Sequence, residues 1–301
     1  MSNTQKSREI NPARKRRRGD RYDGYLVRNL DPMFTMIPYI MRSRLDSQIL
    51  FEERIDITEL EKFILEKRKE IPGLSLLNVV ATALIRTISQ KPRINRFTSG
   101  GKIYARSYIR FSITIKQSLS EDGDESQIMP EFKATDTLSD VVKKIAGAIN
   151  ETRKFKEDGN NTDVAANILG ALPGAVKRFI VFACRNLDKK GLMPKVINRL
   201  SPFHSSIFIT QVGSLGIDSI YHHLYEFGTT SAFVAIGKKE TENVTCQDGS
   251  IVTKKYVTLR FVLDERICDG FYYASAVKLL KSYLKNPEVL LTPPNKIVED
   301  I

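Results

Sequence analysis

The chain has 301 residues, 42% hydrophobic and 27% charged, the composition of an ordinary globular protein long enough for one large domain or two small ones. No apolar stretch of about 20 residues is free of charge, so no membrane span is expected, and the first dozen residues lack the apolar core of a secretory signal. The three cysteines and three histidines show no metal-ligand spacing; no metal is expected, and a reducing, cytoplasmic setting fits best.

The net charge is +12, and half of it lies in residues 1–28, where nine lysines and arginines face three acids. The run "RKRRR" has two readings. It can hold an anionic surface, either phosphates or membrane lipid, which would make the protein a peripheral membrane contact. Alternatively it is a solvated tail, or one salt-bridged to its own body. No nucleic-acid motif accompanies it.

After this lead, "IDITELEKFILEKRKEI" has a cap-like Thr58 and apolar residues at helical spacing, Leu60, Phe63 and Ile64. "SLLNVVATALIRTI" is apolar on most faces and predicts a buried helix, ended by Pro92. "YIRFSITIKQ" alternates, with Ile109, Phe111, Ile113 and Ile115 on one face and Arg110, Ser112, Thr114 and Lys116 on the other, which predicts a half-buried strand. Acidic "SEDGDES" reads as a turn and "QIMPEFKA" as a short strand. Thr137 and Asp140 are spaced as a capping box opening the next helix.

Beyond the polar loop "KEDGNNTD", residues to about 203 read as two or three short helices broken by Pro173, Gly174 and Pro194, with a wide apolar face and a basic polar face. They are read as a hairpin packed on the domain or at a subunit contact, or else as an interfacial membrane helix. The last third is β-rich. "SSIFITQVGSLGI" and "SAFVAIGKKE" are strands, and "VTCQDGSIVTKKYVTLRFVLD" is a hairpin turning at Asp248-Gly249. Its second arm runs into "DERICDGFYYASAV", where Asp269 is placed to cap an amphipathic helix. The expected division is a basic tail over 1–28, one domain over 29–290 with a helical insertion at about 158–203, and a tail over 291–301.

Four segments in this order resemble the acyltransferase catalytic domain of 2-oxoacid dehydrogenase complexes and its relative chloramphenicol acetyltransferase. "DERICDG" resembles the family motif D-H-R-x-x-D-G, and "FITQVGSLGI" resembles its strand motif F-T-x-S-N-x-G-x-x-G. "TALIRTISQKPRINRF" and "MPEFKATDTLSDVVKKI" resemble its P-x-x-N helix end and its strand-then-helix. The likeness runs over roughly residues 30–290 and is strongest to stand-alone members. A lead of about 28 residues leaves no room for a lipoyl domain, so the core of a dehydrogenase complex is not the expected role.

The resemblance implies an α/β fold of the chloramphenicol acetyltransferase type, a two-layer sandwich with a mixed, mostly antiparallel sheet and covering helices. It implies a homotrimer with each site between two subunits, small-molecule acyl donor and acceptor, and coenzyme A or acyl-coenzyme A as co-substrate. Carried over residue by residue, Thr210 is the hydroxyl that steadies the oxyanion. Asp269 is the structural acid that pairs with an arginine and holds the loop. Glu265 stands where the family has its catalytic histidine, in a degenerate motif.

That replacement costs basicity. Against a thiol, a carboxylate at its reference value falls short of an imidazole by ~2.2 units, or ~3 kcal/mol, about a hundredfold in rate; burial that raises a glutamate by ~2 units erases the gap. The alternative is a structural glutamate, paired with Arg266 or another arginine, in a non-catalytic ligand-binding or assembly module. His222 and His223 follow the strand motif of Thr210, and the resemblance places them near the site, where an imidazole offers a replacement base. The other reading packs one ring against Tyr221 or Tyr225 and exposes the second. Cys268 is read as a buried, inert thiol rather than a nucleophile.

Overall fold

The computed structural model describes residues 14–116, 125–157 and 170–300. The loop "KEDGNNTD" and the first part of the 158–203 segment lie largely outside the described residues, as does most of the acidic turn "SEDGDES".

The main sheet has seven strands. Its order is β2 (Gln48–Asp56), β10 (Ile251–Asp264), β9 (Ala232–Thr245), β8 (Ile207–Gln211), β5 (Ile109–Lys116) and β6 (Glu125–Ile128), with β7 (Glu131–Phe132) also on β5. β8 runs parallel to both β5 and β9, and every other pairing is antiparallel. Four helices cover one face: α2 (Thr58–Lys67), α3 (Leu76–Gln90), α4 (Leu138–Glu157) and α7 (Gly270–Lys285). Their apolar sides meet Ile109, Phe111 and Ile113 of β5, Ile207 and Ile209 of β8, and Leu259 and Phe261 of β10 in one core. The result is the two-layer, mostly antiparallel α/β sandwich expected from the sequence.

Local signals explain most boundaries. Ser75 and Asn78 close a capping box at the start of α3, which ends just before Pro92. The Thr137–Asp140 box opens α4, with the Asp140 carboxylate accepting from the Thr137 amide at 2.9 Å. Thr58 is instead the first residue of α2, and the Asp56 carboxylate accepts both its amide and its hydroxyl. The apolar face of β5 packs as its alternation predicts. Its other face does not stay in solvent, because Arg110 and Ser112 are buried and the Arg110 guanidinium meets Glu131 and Asn198.

A second sheet, β1 (Gly24–Leu26), β4 (Lys102–Arg106) and β3 (Arg96–Ser99), sits beside the first. It corrects the boundary of the basic lead. The expected tail over 1–28 is part of the fold from about residue 20, because β1 pairs with β4 and Tyr25 and Val27 are buried. Arg21, 4% exposed, binds Asp23 at 2.8 Å and Asp188 at 2.6 Å. Arg14 and Arg16 lie over the Tyr25 ring. The tail over 291–300 is docked too, since Asp300 pairs with buried Arg96 at 2.6 Å. In both cases an ion pair to a distant element draws in a segment whose local composition reads as solvated.

Three helices are weakly attached. α1 (Pro32–Ile40) exposes Met33, Met36 and Ile40. α5 (Gly174–Lys189) and α6 (Lys195–Leu200) begin just after Pro173 and Pro194, as the breakers predict, but they do not pack on the domain along their length. Asp188 and Asn198 are their buried residues, while Phe179, Phe182, Val196 and Leu200 are exposed. Among the described residues no helix is long and apolar enough to cross a membrane.

Candidate functional site around the motif loop

The loop from Asp264 to Gly270 joins β10 to α7, and buried polar contacts fix its backbone. The Asp264 amide donates to the Ser231 carbonyl at 2.9 Å and the Glu265 amide to the Ser47 carbonyl at 2.8 Å. The Asp264 carboxylate, 0% exposed, takes two guanidinium bonds from Arg266 at 2.8 and 2.7 Å and the Ser47 hydroxyl at 3.0 Å. Tyr273 donates its hydroxyl to the Asp264 carbonyl at 2.7 Å. The arginine of this loop is therefore held by Asp264, and among the described residues no arginine pairs with Asp269, the contact that the resemblance implies. Asp269 works as a helix cap, its carboxylate accepting from the Tyr272 amide at 2.7 Å. The same geometry removes Arg266 as a partner for Glu265. Glu265 is half-buried, and among the described residues its carboxylate enters no ion pair.

Cys268 is 2% exposed, and burial pushes its thiol up to about 12, so it is not a thiolate at neutral pH.

Thr210 lies two strands away from β10, in the middle of the sheet. On β8 it pairs with Thr114 and with Ala235, and Ala235 pairs with Arg260 of β10. Asp264 is four residues beyond Arg260, about 13 Å along the strand, and Glu265 lies further still. Thr210 and Glu265 do not meet within one chain. Thr210 shares its face with Phe208, the face away from the helices, where Phe208, Phe233, Val262 and Leu224 form a small separate cluster. The strand motif turns sharply after Thr210 because Gly213 sits against β9; a Cβ there would lie 2.2 Å from the Gly237 carbonyl oxygen.

His222 and His223 are on this outer side of the sheet. The His222 ring stacks on Phe233 at 4.3 Å and on His223 at 4.7 Å, and its Nδ1 donates to the His223 carbonyl at 2.9 Å. His223 is exposed and edge-on to Tyr225. Thr210 and the two histidines thus share a side of the sheet, and Glu265 is apart from them. The third histidine, His204, is fully buried, with Nδ1 2.7 Å from the Ser201 hydroxyl and Nε2 3.5 Å from Asp188. Its role is in the core, and nothing in its sequence context marked it.

The motif loop separates two cavities. One, about 740 Å³, is lined by Cys268, Asp269, Arg93, Arg96 and Asp300. The other, about 560 Å³, is lined by Arg266, Arg44, Arg42, Arg185, Lys189 and Tyr39 among others. Neither is lined by Thr210, Glu265 or the adjacent histidines. The cationic lining was missed by sequence reasoning, because its residues come from α1, α5, the β3–β4 turn and the motif loop. Among the described residues no cluster of histidine, cysteine or carboxylate side chains has the arrangement of a metal site.

Residues 202–292 match the model of the 2-oxoacid dehydrogenases acyltransferase (catalytic domain) family, a span that contains β8, β9, β10, the motif loop and α7. That stretch of the chain is similar to the acyltransferase domain. The chain's fold is also that of solved acyltransferase cores. A probable dihydrolipoamide acetyltransferase from Listeria monocytogenes superposes with a TM-score of 0.53 at 13% identity, over 86% of this chain and 94% of the other. The dihydrolipoamide acetyltransferase of Azotobacter vinelandii gives 0.52 at 12%, over 86% and 88%. A truncated catalytic core of the 2-oxoacid dehydrogenase complex from Thermoplasma acidophilum gives 0.52 at 15%, over 87% and 98%. No curated protein sequence matches the chain.

Proposed function

We propose that this protein is a coenzyme A-dependent acyltransferase acting as an assembly of identical subunits, with Glu265 as the base. The observation that carries this reading is the state of Glu265. It occupies the histidine position of the motif on a backbone held by Ser47, and no ion pair among the described residues engages its carboxylate. In the Azotobacter enzyme a serine, a histidine and an asparagine were probed for roles in the catalytic mechanism, the last two four positions apart. Glu265 and Asp269 keep that spacing, and Thr210 supplies a hydroxyl on the strand motif.

In this reading the acceptor thiol or hydroxyl attacks the thioester carbonyl while Glu265 takes its proton. The Thr210 hydroxyl donates to the oxyanion of the tetrahedral intermediate. Collapse expels the coenzyme A thiolate, which recovers the proton from the Glu265 carboxylic acid. Because Thr210 and Glu265 are two strands apart, and more than four residues apart along the strand direction, within one chain, the site needs the Thr210 face of one copy and the motif loop of another. A trimer is the arrangement the motif resemblance implies. Exposed apolar side chains on α1 and α5 are available for subunit contact. In such an assembly His222 and His223 stand on the Thr210 side, near the incoming loop.

A non-catalytic ligand-binding or assembly module is the second reading, favoured by the substitution of glutamate for histidine itself. Turnover of acetyl-coenzyme A with a thiol acceptor separates the two. Glu265→Gln is expected to abolish turnover while changing stability by less than about 0.5 kcal/mol, as for an unpaired, half-exposed side chain, and Glu265→His to retain or raise it. Equal turnover in wild type and Glu265→Gln excludes Glu265 as the base. Light scattering that finds a monomer excludes the shared site.

A further inference from the structure

Arg44 is a buried cation without a carboxylate of its own. It is 6% exposed and lines the 560 Å³ cavity beside the motif loop. Its guanidinium offers five N–H donors, and the two hydrogen bonds it makes are to carbonyls, Glu226 at 3.3 Å and Thr98 at 3.2 Å; Nε has no partner. Two nearby acids are committed elsewhere, Asp264 to Arg266 and Asp188 to Arg21 and His204. The third, Glu226, lines the same cavity, and its Oε1 accepts from the Arg44 and Leu45 amides without pairing with the guanidinium. Burial pushes the guanidinium below its usual range, with partial relief from Asp264, Glu226 and Asp188 and an opposing push from Arg266.

Two other arginines are buried without a carboxylate and also leave Nε without a partner, so what sets Arg44 apart is the cavity it lines. Arg86 caps the carbonyls of Val289 and Thr292. Arg106 binds Thr229 and the Tyr108 hydroxyl and lies over the Phe97 and Tyr108 rings. Neither lines this cavity. Around Arg44 the remaining charge is also positive: Arg42, Arg185 and Lys189 reach the same space, and none forms an ion pair among the described residues. The walls are fixed in place. The β3–β4 turn uses Gly100 and Gly101 at φ 57° and 74°, and a Cβ on them would meet the Lys189 carbonyl oxygen at 2.8 Å and the Tyr39 ring at 2.9 Å.

We propose that this cavity binds a small anionic molecule whose carboxylate or phosphate group seats against the Arg44 guanidinium. A buried arginine without a counter-ion is costly, and a planar oxyanion supplies the missing acceptors in a charge-assisted geometry. Arg42, Arg185 and Lys189 draw the anion in from the rim. The cavity wall includes Arg266 but not its neighbour Glu265, so a molecule anchored on Arg44 that extends past the motif loop reaches Glu265, and the molecule is read as the acyl acceptor. That last identification rests on the function proposed above, and the anion site itself does not.

Calorimetric titration of the full chain with succinate, with inorganic phosphate and with coenzyme A, at matched ionic strength, tests this. The expected result is saturable binding of succinate or phosphate, with the stronger of the two naming the acid group. Arg42→Ala with Arg185→Ala, both at the surface, weakens it severalfold, and Arg44→Lys weakens it by about tenfold or more through loss of the planar fork. If Arg44→Lys fails to fold, the surface double variant alone decides. Absence of succinate and phosphate binding by the wild type overturns the site, as does binding unchanged in the surface double variant. Binding of coenzyme A alone, displaced by neither anion, also overturns it. Anion binding without acyl transfer keeps the site and removes the acceptor role, whereas acyl transfer without anion binding overturns the site and leaves the proposed function standing.

Discussion

The motif loop and the α5–α6 arm are both short, charged and bounded by breakers, yet they are held in opposite ways. In the loop, Asp264 alone gathers Arg266, Ser47 and, through its carbonyl, Tyr273, and each of these groups is buried or nearly so. The arm reaches the body through Asp188 and Asn198 and leaves most of its apolar side chains exposed. The difference lies in where the charged residues find partners. A buried carboxylate with several donors fixes a backbone, whereas an apolar face with nothing on it fixes nothing and awaits a second surface.

The largest effect should come from breaking the loop. Asp264→Asn leaves the Arg266 guanidinium buried without a counter-ion, and urea unfolding should show a loss of about 3–5 kcal/mol. A loss below about 1 kcal/mol would mean that the loop is not held by this pair.

Breaking the arm's anchor should cost less, because Arg21 keeps Asp23. Burial by itself raises the Asp188 carboxyl, but the hydrogen bond to His204 and the charge of Arg21 outweigh it and hold the group down at about 2. A depressed acid contributes stability that is fully present above its unfolded value near 3.8 and disappears as pH falls toward about 2. Asp188→Asn should therefore cost about 2 kcal/mol at pH 7. The gap between variant and wild type should narrow below about pH 4. A gap that stays constant from pH 6 to pH 3 would contradict the ion-pair account.

The smallest effect sharpens the contrast without touching stability. Cys268, inside the loop, should not react with a thiol reagent at pH 8 in the folded protein, while Cys184 on the arm and Cys246 on the β9–β10 turn, both half-buried, should react. Rapid modification of all three in native conditions would show that the loop opens as readily as the arm.

Much of the fold was legible because its signals are local. The alternation of β5, the helical period of α2, the Thr137–Asp140 box and the position of Pro92 act within a few residues, and each appears in the structure where the pattern puts it. The site was legible only as residue types on a motif. Asp269 was correctly placed as a cap, but the arginine partner that the resemblance implies for it is not found among the described residues, because pairing depends on which charges the fold brings together.

Taken by itself, the sequence determined the elements with a strong local pattern, α2, α3, β5, α4 and the C-terminal strands and helix, and the glutamate at the histidine position of the motif, but not α1 or β1 to β4. Tertiary structure decided which charges go inside. Arg21, Arg44, Arg96 and Arg266 look alike in the chain, but Arg21 is drawn in by Asp188, Arg96 by Asp300 and Arg266 by Asp264, and Arg44 is left lining a cavity. Tertiary structure also set Thr210 and Glu265 apart, two strands away from each other in one sheet. Periodicity and capping are properties of neighbours in sequence, while the burial of a charge depends on a partner that the fold brings from far along the chain.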